Sequence, residues 1–331
     1  MRIAVFDTKH YDRQALESAN VAFGHTLSFF EPRLNRQTVS LVQGFDAVCP
    51  FVNDCVDDGV VEQMAMAGVT LVTLRCAGYN GVDLAACARH GVAVTRVPAY
   101  SPEAVAEHAF ALLLSVVRHT HKAYARVREL NFALDGLVGF NLHGRTFGVL
   151  GTGRIGLAAI RIARGFGMRV LACDPRPQMD MAASLDFEYC TMARLLGESD
   201  VLSLHLPLSA DTHHIVNAKA LAAMKPAAVL INTSRGGLVD TPALIDALKA
   251  GCLMGVGLDV YEMEEGVFFQ DLSAACLQDD QLARLLTFPN VLVTSHQGFL
   301  TQEALAAIAR TTLENALAYQ RGEHLQNEVL L

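Results

Sequence analysis

The chain has little that would commit it to a membrane, a nucleic acid or an oxidising compartment. No stretch of 18 uncharged apolar residues occurs. The most apolar run, Ala109 to Val117, falls well short of the roughly 20 residues needed to cross a bilayer. Positive charge is scarce too: 26 Lys and Arg against 34 Asp and Glu leave a net charge of −8. Without a basic cluster there is nothing to grip a phosphate backbone, so no nucleic-acid or membrane partner is expected. No CxxC pair is present, and the eight cysteines (49, 55, 76, 87, 173, 190, 252 and 276) lie scattered, mostly in apolar runs. They read as free thiols in a reducing compartment, so a cytoplasmic location is expected. Met1 to Asp7 reads as a strand ending in an acid, with no apolar segment or cleavage site of a secretory signal.

What is present describes a well-buried globular protein. With 331 residues, 52% apolar and 18% charged, the chain exceeds the size of one core, and two domains are expected. Its organising stretch is TFGVLGTGRIGLAAIRIARGFGMRVLACD, Thr146 to Asp174. It reads as strand, glycine turn, helix, strand. Gly151 permits the tight turn, Gly153 lets backbone approach a pyrophosphate, and Gly156 allows close helix–strand packing. The N–H groups and positive dipole end of the helix then face the phosphates. Asp174, 18 residues after Gly156, stands where an acid accepts from the adenosine ribose hydroxyls. Its charge would repel a 2′-phosphate, so NAD rather than NADP is the expected cofactor.

On either side the pattern is α/β. Ile3 to Phe6, Ala47 to Val52, Val69 to Leu74 and Val92 to Arg96 read as strands of a small parallel sheet. Pro102 to about Arg128 reads as one long helix, apolar on more than one face; it is expected to cross between domains and into a second subunit. Strands are expected again at Asp200–His205, Ala227–Asn232, Gly255–Val260 and Val291–Thr294, and a last amphipathic helix at Thr301 to about Arg321. The expected fold is therefore two doubly wound, Rossmann- or flavodoxin-like domains with parallel sheets and a cleft between them. Residues 101–298 form the nucleotide domain; 1–100 with 299–331 form a discontinuous substrate domain.

Three titratable residues, Arg235, Glu264 and His296, stand at or just beyond late strand ends. A guanidinium grips a substrate carboxylate through two oxygens, and a histidine can protonate a nascent alkoxide near neutral pH. A neighbouring carboxylate holds the ring and its tautomer. Nothing local brings these three together, and Glu262 and Glu265 serve as well as Glu264 on composition alone. The plain readings are a loop-capping histidine and an arginine facing an acidic surface. His205, His213 and His214 read as structural, the histidines of the long helix lack ligand spacing, and no metal site is expected.

The motifs GVLGTGRIG, HLPLSADTHHIVN, LINTSRGGLVD, GLDVYEMEEGVFFQD and VTSHQGFLTQEA occur in the order found in D-isomer-specific 2-hydroxyacid dehydrogenases. With VFDTKHYD, FVND, LRCAGYNGVD and VPAYSPEAVAEHAF, nearly the whole chain resembles that family, and more narrowly its bacterial fermentative D-lactate-forming branch. The resemblance implies that Arg235 binds the substrate carboxylate, His296 is the acid/base and Glu264 is its partner. It places Gly151, Gly153, Arg154, Ile155 and Gly156 at the pyrophosphate and Asp174 at the ribose. Leu206, Pro207 and Thr212 then flank the adenine side, Thr233 and Asp259 surround the nicotinamide, and Ser234 is a further cofactor contact. For substrate it implies the backbone of Ala77 and Gly78 as donors, and Phe51, Tyr100 and Phe299 as walls; Phe51 stands where some relatives have tyrosine. The implied reaction is pyruvate and NADH to D-lactate and NAD⁺, in a homodimer or homotetramer. Glyoxylate, hydroxypyruvate or branched 2-keto acids as substrate, and a non-catalytic NAD-sensing role of the corepressor type, remain open.

Overall fold

The computed structural model describes residues 1–330, which divide into two compact units: Met1–Ser101 with the C-terminal segment from Leu300, and Pro102–Phe299. Both are α/β with wholly parallel sheets.

The first unit is built on β1 (Arg2–Val5), β2 (Thr26–Phe29), β3 (Ala47–Cys49), β4 (Leu71–Thr73) and β5 (Ala93–Thr95), in the order β2-β1-β3-β4-β5. Helices His10–Asn20 and Gln302–Gln320 pack together over one face, where Leu16, Leu313 and Ala316 meet Ile3 and Val5. The other face buries Phe6, Val48 and Val72 against Val60 and Met64. Inside this unit lies Arg75, with only 1% of its side chain exposed. Its guanidinium donates to the carbonyls of Cys49 (3.1 Å) and Asp7 (2.8 Å), pairs with Asp12 at 3.4 Å, and stacks over the Phe51 ring at 4.6 Å. A charge so deeply buried is tolerated because each side of it meets an acceptor, a carboxylate or a π face.

The second unit carries β6 (Thr146–Leu150), β7 (Arg169–Cys173), β8 (Glu188–Tyr189), β9 (Val201–Leu204), β10 (Ala228–Asn232), β11 (Leu253–Leu258) and β12 (Val291–Val293). Their order is β12-β11-β10-β9-β6-β7-β8, so the winding direction reverses between β6 and β9. In such sheets a crevice opens beyond the strand ends at that reversal. The strands are apolar on both faces because both faces are covered. In β10, Val229 and Ile231 enter one core with the Pro102–Arg118 and Arg154–Gly165 helices, and Ala228 and Leu230 enter the other. Truncating a fully buried residue such as Leu230 to alanine would cost roughly 2–5 kcal/mol.

Three features differ from the sequence expectation. The long helix is two, Pro102–Arg118 and Thr120–Arg128, because His119 between them takes a left-handed backbone with φ +53°. Its apolar faces are covered within its own unit, by the Arg154–Gly165 helix and by β10 and β11. The two short strands β2 and β8 were not expected. Among the described residues no helix is long and apolar enough to cross a membrane.

Candidate active site

The glycine turn has the form its spacing required. Gly151 follows β6 with φ +96°, and a Cβ there would stand 2.5 Å from the His205 carbonyl oxygen at the end of β9. At Gly156 a Cβ would lie 2.0 Å from the Gly151 oxygen, so only hydrogen lets the helix seat against its turn. Gly153 caps the Arg154–Gly165 helix with no side-chain cap, and a Cβ there would meet nothing within 4 Å. The result is a bare helix N-terminus facing open space, with Arg154 exposed beside it and Ile155 half-buried. That is what a pyrophosphate requires.

Asp174 lies just beyond β7, where its Oδ2 accepts from the backbone N (2.7 Å) and Oγ1 (3.0 Å) of Thr152 and its Oδ1 from Arg176 N at 2.8 Å. Thr152, the residue between the first two glycines, also meets the Tyr189 hydroxyl at 2.8 Å. It thereby ties the turn to both β7 and β8. The sequence reading did not single it out, since the position between the glycines carries no requirement of its own in the motif.

Across the reversal, Thr212 Oγ1 donates to the Pro207 carbonyl at 2.7 Å and accepts from Ser209 N, closing the loop that begins at Leu206. Ser234 donates to the Leu206 carbonyl at 2.5 Å, joining the loops after β9 and β10. Beside it Thr233 Oγ1 is buried with no hydrogen-bond partner. A buried hydroxyl left unpaired costs about 1–3 kcal/mol unless something polar arrives to meet it. Together the bare helix end, the acid at β7 and the orphaned hydroxyl fit a dinucleotide.

The three titratable residues expected from the sequence follow three neighbouring strands in register, Asn232 opposite Leu258 and Leu258 opposite Val293. Arg235 follows β10, Glu264 follows β11 and His296 follows β12. Nδ1 of His296 lies 2.7 Å from Glu264 Oε1, and the other carboxylate oxygen accepts Tyr261 N at 3.0 Å. Of the three glutamates that composition left open, Glu264 is the one that meets His296. Glu262 engages His214 instead, and Glu265 is exposed. Arg235 is held by Nη1 donating to the Ser234 carbonyl (2.7 Å) and by Asn232 Nδ2 donating to its own carbonyl (2.9 Å). Gly236 brings this loop against the next: a Cβ there would lie 2.0 Å from the Tyr261 carbonyl carbon.

His296 has φ +50°, a conformation that costs a non-glycine residue on the order of 1–2 kcal/mol. What holds it is Asp259. Its carbonyl accepts His296 N at 2.7 Å, Oδ1 accepts from Thr294 Oγ1 (2.5 Å) and Gln297 N (2.9 Å) and lies 3.1 Å from His108 Nε2, and Oδ2 accepts from Gly298 N at 2.8 Å. Burial opposes ionisation of this carboxyl, but the hydrogen bonds from His108 and Thr294 outweigh it and hold its pKa below the usual range. Both its oxygens are thus engaged by the protein, and its visible work is to fix the turn that presents His296. His108 is a second residue that the sequence reading missed as part of this network.

The remaining expected residues are placed as follows. Phe299, only 9% exposed, follows that turn in the second unit. In the first unit Phe51 is buried beneath Arg75, Tyr100 is half-buried, and the Ala77 carbonyl accepts from Arg96 Nη1 at 3.0 Å, with Gly78 O accepting from Cys76 Sγ at 3.1 Å.

Comparison with known proteins bears on family and fold. Residues 110–298 match the family model of the D-isomer specific 2-hydroxyacid dehydrogenase NAD binding domain. The chain is 47% identical over 330 residues to D-lactate dehydrogenase of Escherichia coli, covering all of both chains. Its fold is similar to the apo-structure of D-lactate dehydrogenase from Escherichia coli (TM-score 0.92, 45% identity, all of both chains). It is similar also to D-lactate dehydrogenase with NAD⁺ from Lactobacillus jensenii (TM-score 0.84, 30% identity, all of both chains).

Proposed function

The chain belongs to the D-isomer specific 2-hydroxyacid dehydrogenases, an NAD-dependent enzyme family, and from that premise we propose that it reduces pyruvate to D-lactate in fermentation. The observation that carries the proton-transfer half of this reading is the 2.7 Å contact between His296 and Glu264. When bound, the reduced nicotinamide supplies the hydride. Arg235 holds the keto-acid carboxylate through paired N–H donors and so fixes the direction of the ketone. Protonated His296 gives its Nε2 proton to the ketone oxygen, while Glu264 accepts from Nδ1 and keeps the ring in one tautomer and orientation. In the reverse direction neutral His296 takes the hydroxyl proton.

Cofactor contacts are assigned to the Gly151–Gly156 turn with Arg154 and Ile155, to Asp174, to Leu206, Pro207 and Thr212, and to Thr233, Ser234 and Asp259. The backbone N–H groups of Ala77 and Gly78 are the proposed carboxylate donors, and Phe51, Tyr100 and Phe299 the proposed side-chain walls. We also assign a cytoplasmic location and a homodimer or homotetramer. Support for association comes from the apolar side chains that Leu130, Phe132, Leu134 and Val138 leave exposed. Light scattering would read the assembly directly.

The deciding experiment is NADH oxidation against pyruvate, glyoxylate, hydroxypyruvate and branched 2-keto acids, followed by chiral analysis of the product. Pyruvate with the highest kcat/KM and a D-product are expected. A higher kcat/KM on a longer acid, or L-lactate, would overturn the substrate assignment.

A further inference from the structure

His213 and His214 read as structural in the sequence, and Glu262 lies 48 residues beyond His214. The fold joins them. One candidate ligand atom from each lies within 4.8 Å of the others, and among the described residues no other set of three His, Cys, Asp or Glu does this. Nε2 of His214 is 2.5 Å from Glu262 Oε1, and Nε2 of His213 is 3.9 Å from the same oxygen. The two rings stack with centroids 3.8 Å apart, so both nitrogens turn to one carboxylate. His213 stops short of a hydrogen bond there: the pair that explains His214 does not explain His213.

The framework beneath is fixed. His214 N donates to the Gly237 carbonyl at 2.8 Å, and Thr241 N lies 3.5 Å from Glu262 Oε2. The side chains keep 54%, 31% and 24% of their exposure, which leaves water room to complete a coordination shell. Two imidazoles and one carboxylate select zinc or cobalt over magnesium or calcium, which take oxygen ligands. Ligand atoms of a tetrahedral site stand about 3.4 Å apart, so a side-chain adjustment of about 1 Å closes the set on an ion.

We propose that His213, His214 and Glu262 form a binding site for a divalent transition-metal ion such as zinc or cobalt. The ion clips the segment after β9 to the segment after β11, two residues before Glu264. It is separate from Arg235, Glu264 and His296, and does not depend on which keto acid the enzyme reduces.

The test uses the full-length protein, stripped with a chelator and titrated with Co²⁺ as the spectroscopic probe. One saturable Co²⁺ per chain, with visible d–d absorption that Zn²⁺ abolishes, is expected. His213→Gln, at an exposed side chain, and Glu262→Gln should each weaken binding about tenfold or more, while His296→Ala binds as the unaltered chain does. Unchanged affinity in His213→Gln, loss of the ion in His296→Ala, or no saturable binding by the unaltered chain would each overturn the site. Circular dichroism of the variants separates a lost ligand from a lost fold.

Discussion

The imidazole of His296 and the carboxylate of Glu264 meet at 2.7 Å although 32 residues separate them in sequence. A third group, Tyr261 N, occupies the other carboxylate oxygen at 3.0 Å, so Glu264 cannot rotate away without breaking two contacts at once.

Removing the imidazole should therefore remove proton transfer and little else. His296→Ala is expected to lower kcat by about 10²- to 10⁴-fold at saturating keto acid, with NADH affinity retained. Steady-state turnover and fluorescence titration of NADH check the two halves, and near-normal turnover would exclude His296 as the acid.

Arg235→Lys keeps the charge but loses the fork. Losing one charge-assisted hydrogen bond costs about 1.5–3 kcal/mol, so KM for the keto acid should rise roughly ten- to hundredfold. Unchanged substrate saturation would count against Arg235 as the carboxylate ligand.

Gly153→Ala separates folding from binding. A Cβ there meets no protein atom within 4 Å, so the fold should lose only about 1 kcal/mol, the usual difference between glycine and alanine at a helix cap. Against a bound pyrophosphate the same methyl has no room, and the Kd for NADH should rise about tenfold or more. Calorimetry of NADH binding beside a thermal melt tests the contrast.

His205 gives the pH dependence of stability. Its Nδ1 is buried without a hydrogen-bond partner, although the residue keeps partial exposure, and burial pushes its pKa down from 6.5 to about 4. Between those values the unfolded chain binds the proton and the folded chain does not, so stability falls as pH drops through this window. The contribution is at most about 3 kcal/mol. Urea denaturation near pH 7 and near pH 4.5 should show a larger loss in the unaltered chain than in His205→Gln; equal losses would remove His205 as the cause.

The sequence revealed those parts of the fold that burial writes into it. Runs such as Val201–Leu204 and Ala228–Asn232 are largely apolar and buried at every position because helices cover both faces of their sheet, and the chain shows this without any partner. β2 and β8 escaped because Thr26–Phe29 is an edge strand without a single fully buried residue and Glu188–Tyr189 is only two residues long. The break at His119 escaped because neither glycine nor proline marks it. In the site, the glycine turn is a local device and could be read locally. Glu262 and Glu264 could not be told apart by composition, since each is defined by a histidine from another loop. His108 reaches Asp259 across 151 residues, and no local pattern records such a meeting.

The buried Asp259 carboxylate bears on motion as well. Gln297 and Gly298 lie in a connecting segment, yet their amides donate to an acceptor nearly as sheltered from water as a strand carbonyl. Their deuterium uptake should be as slow as that of the sheet interior, which makes the peptide around His296 an extension of the rigid framework.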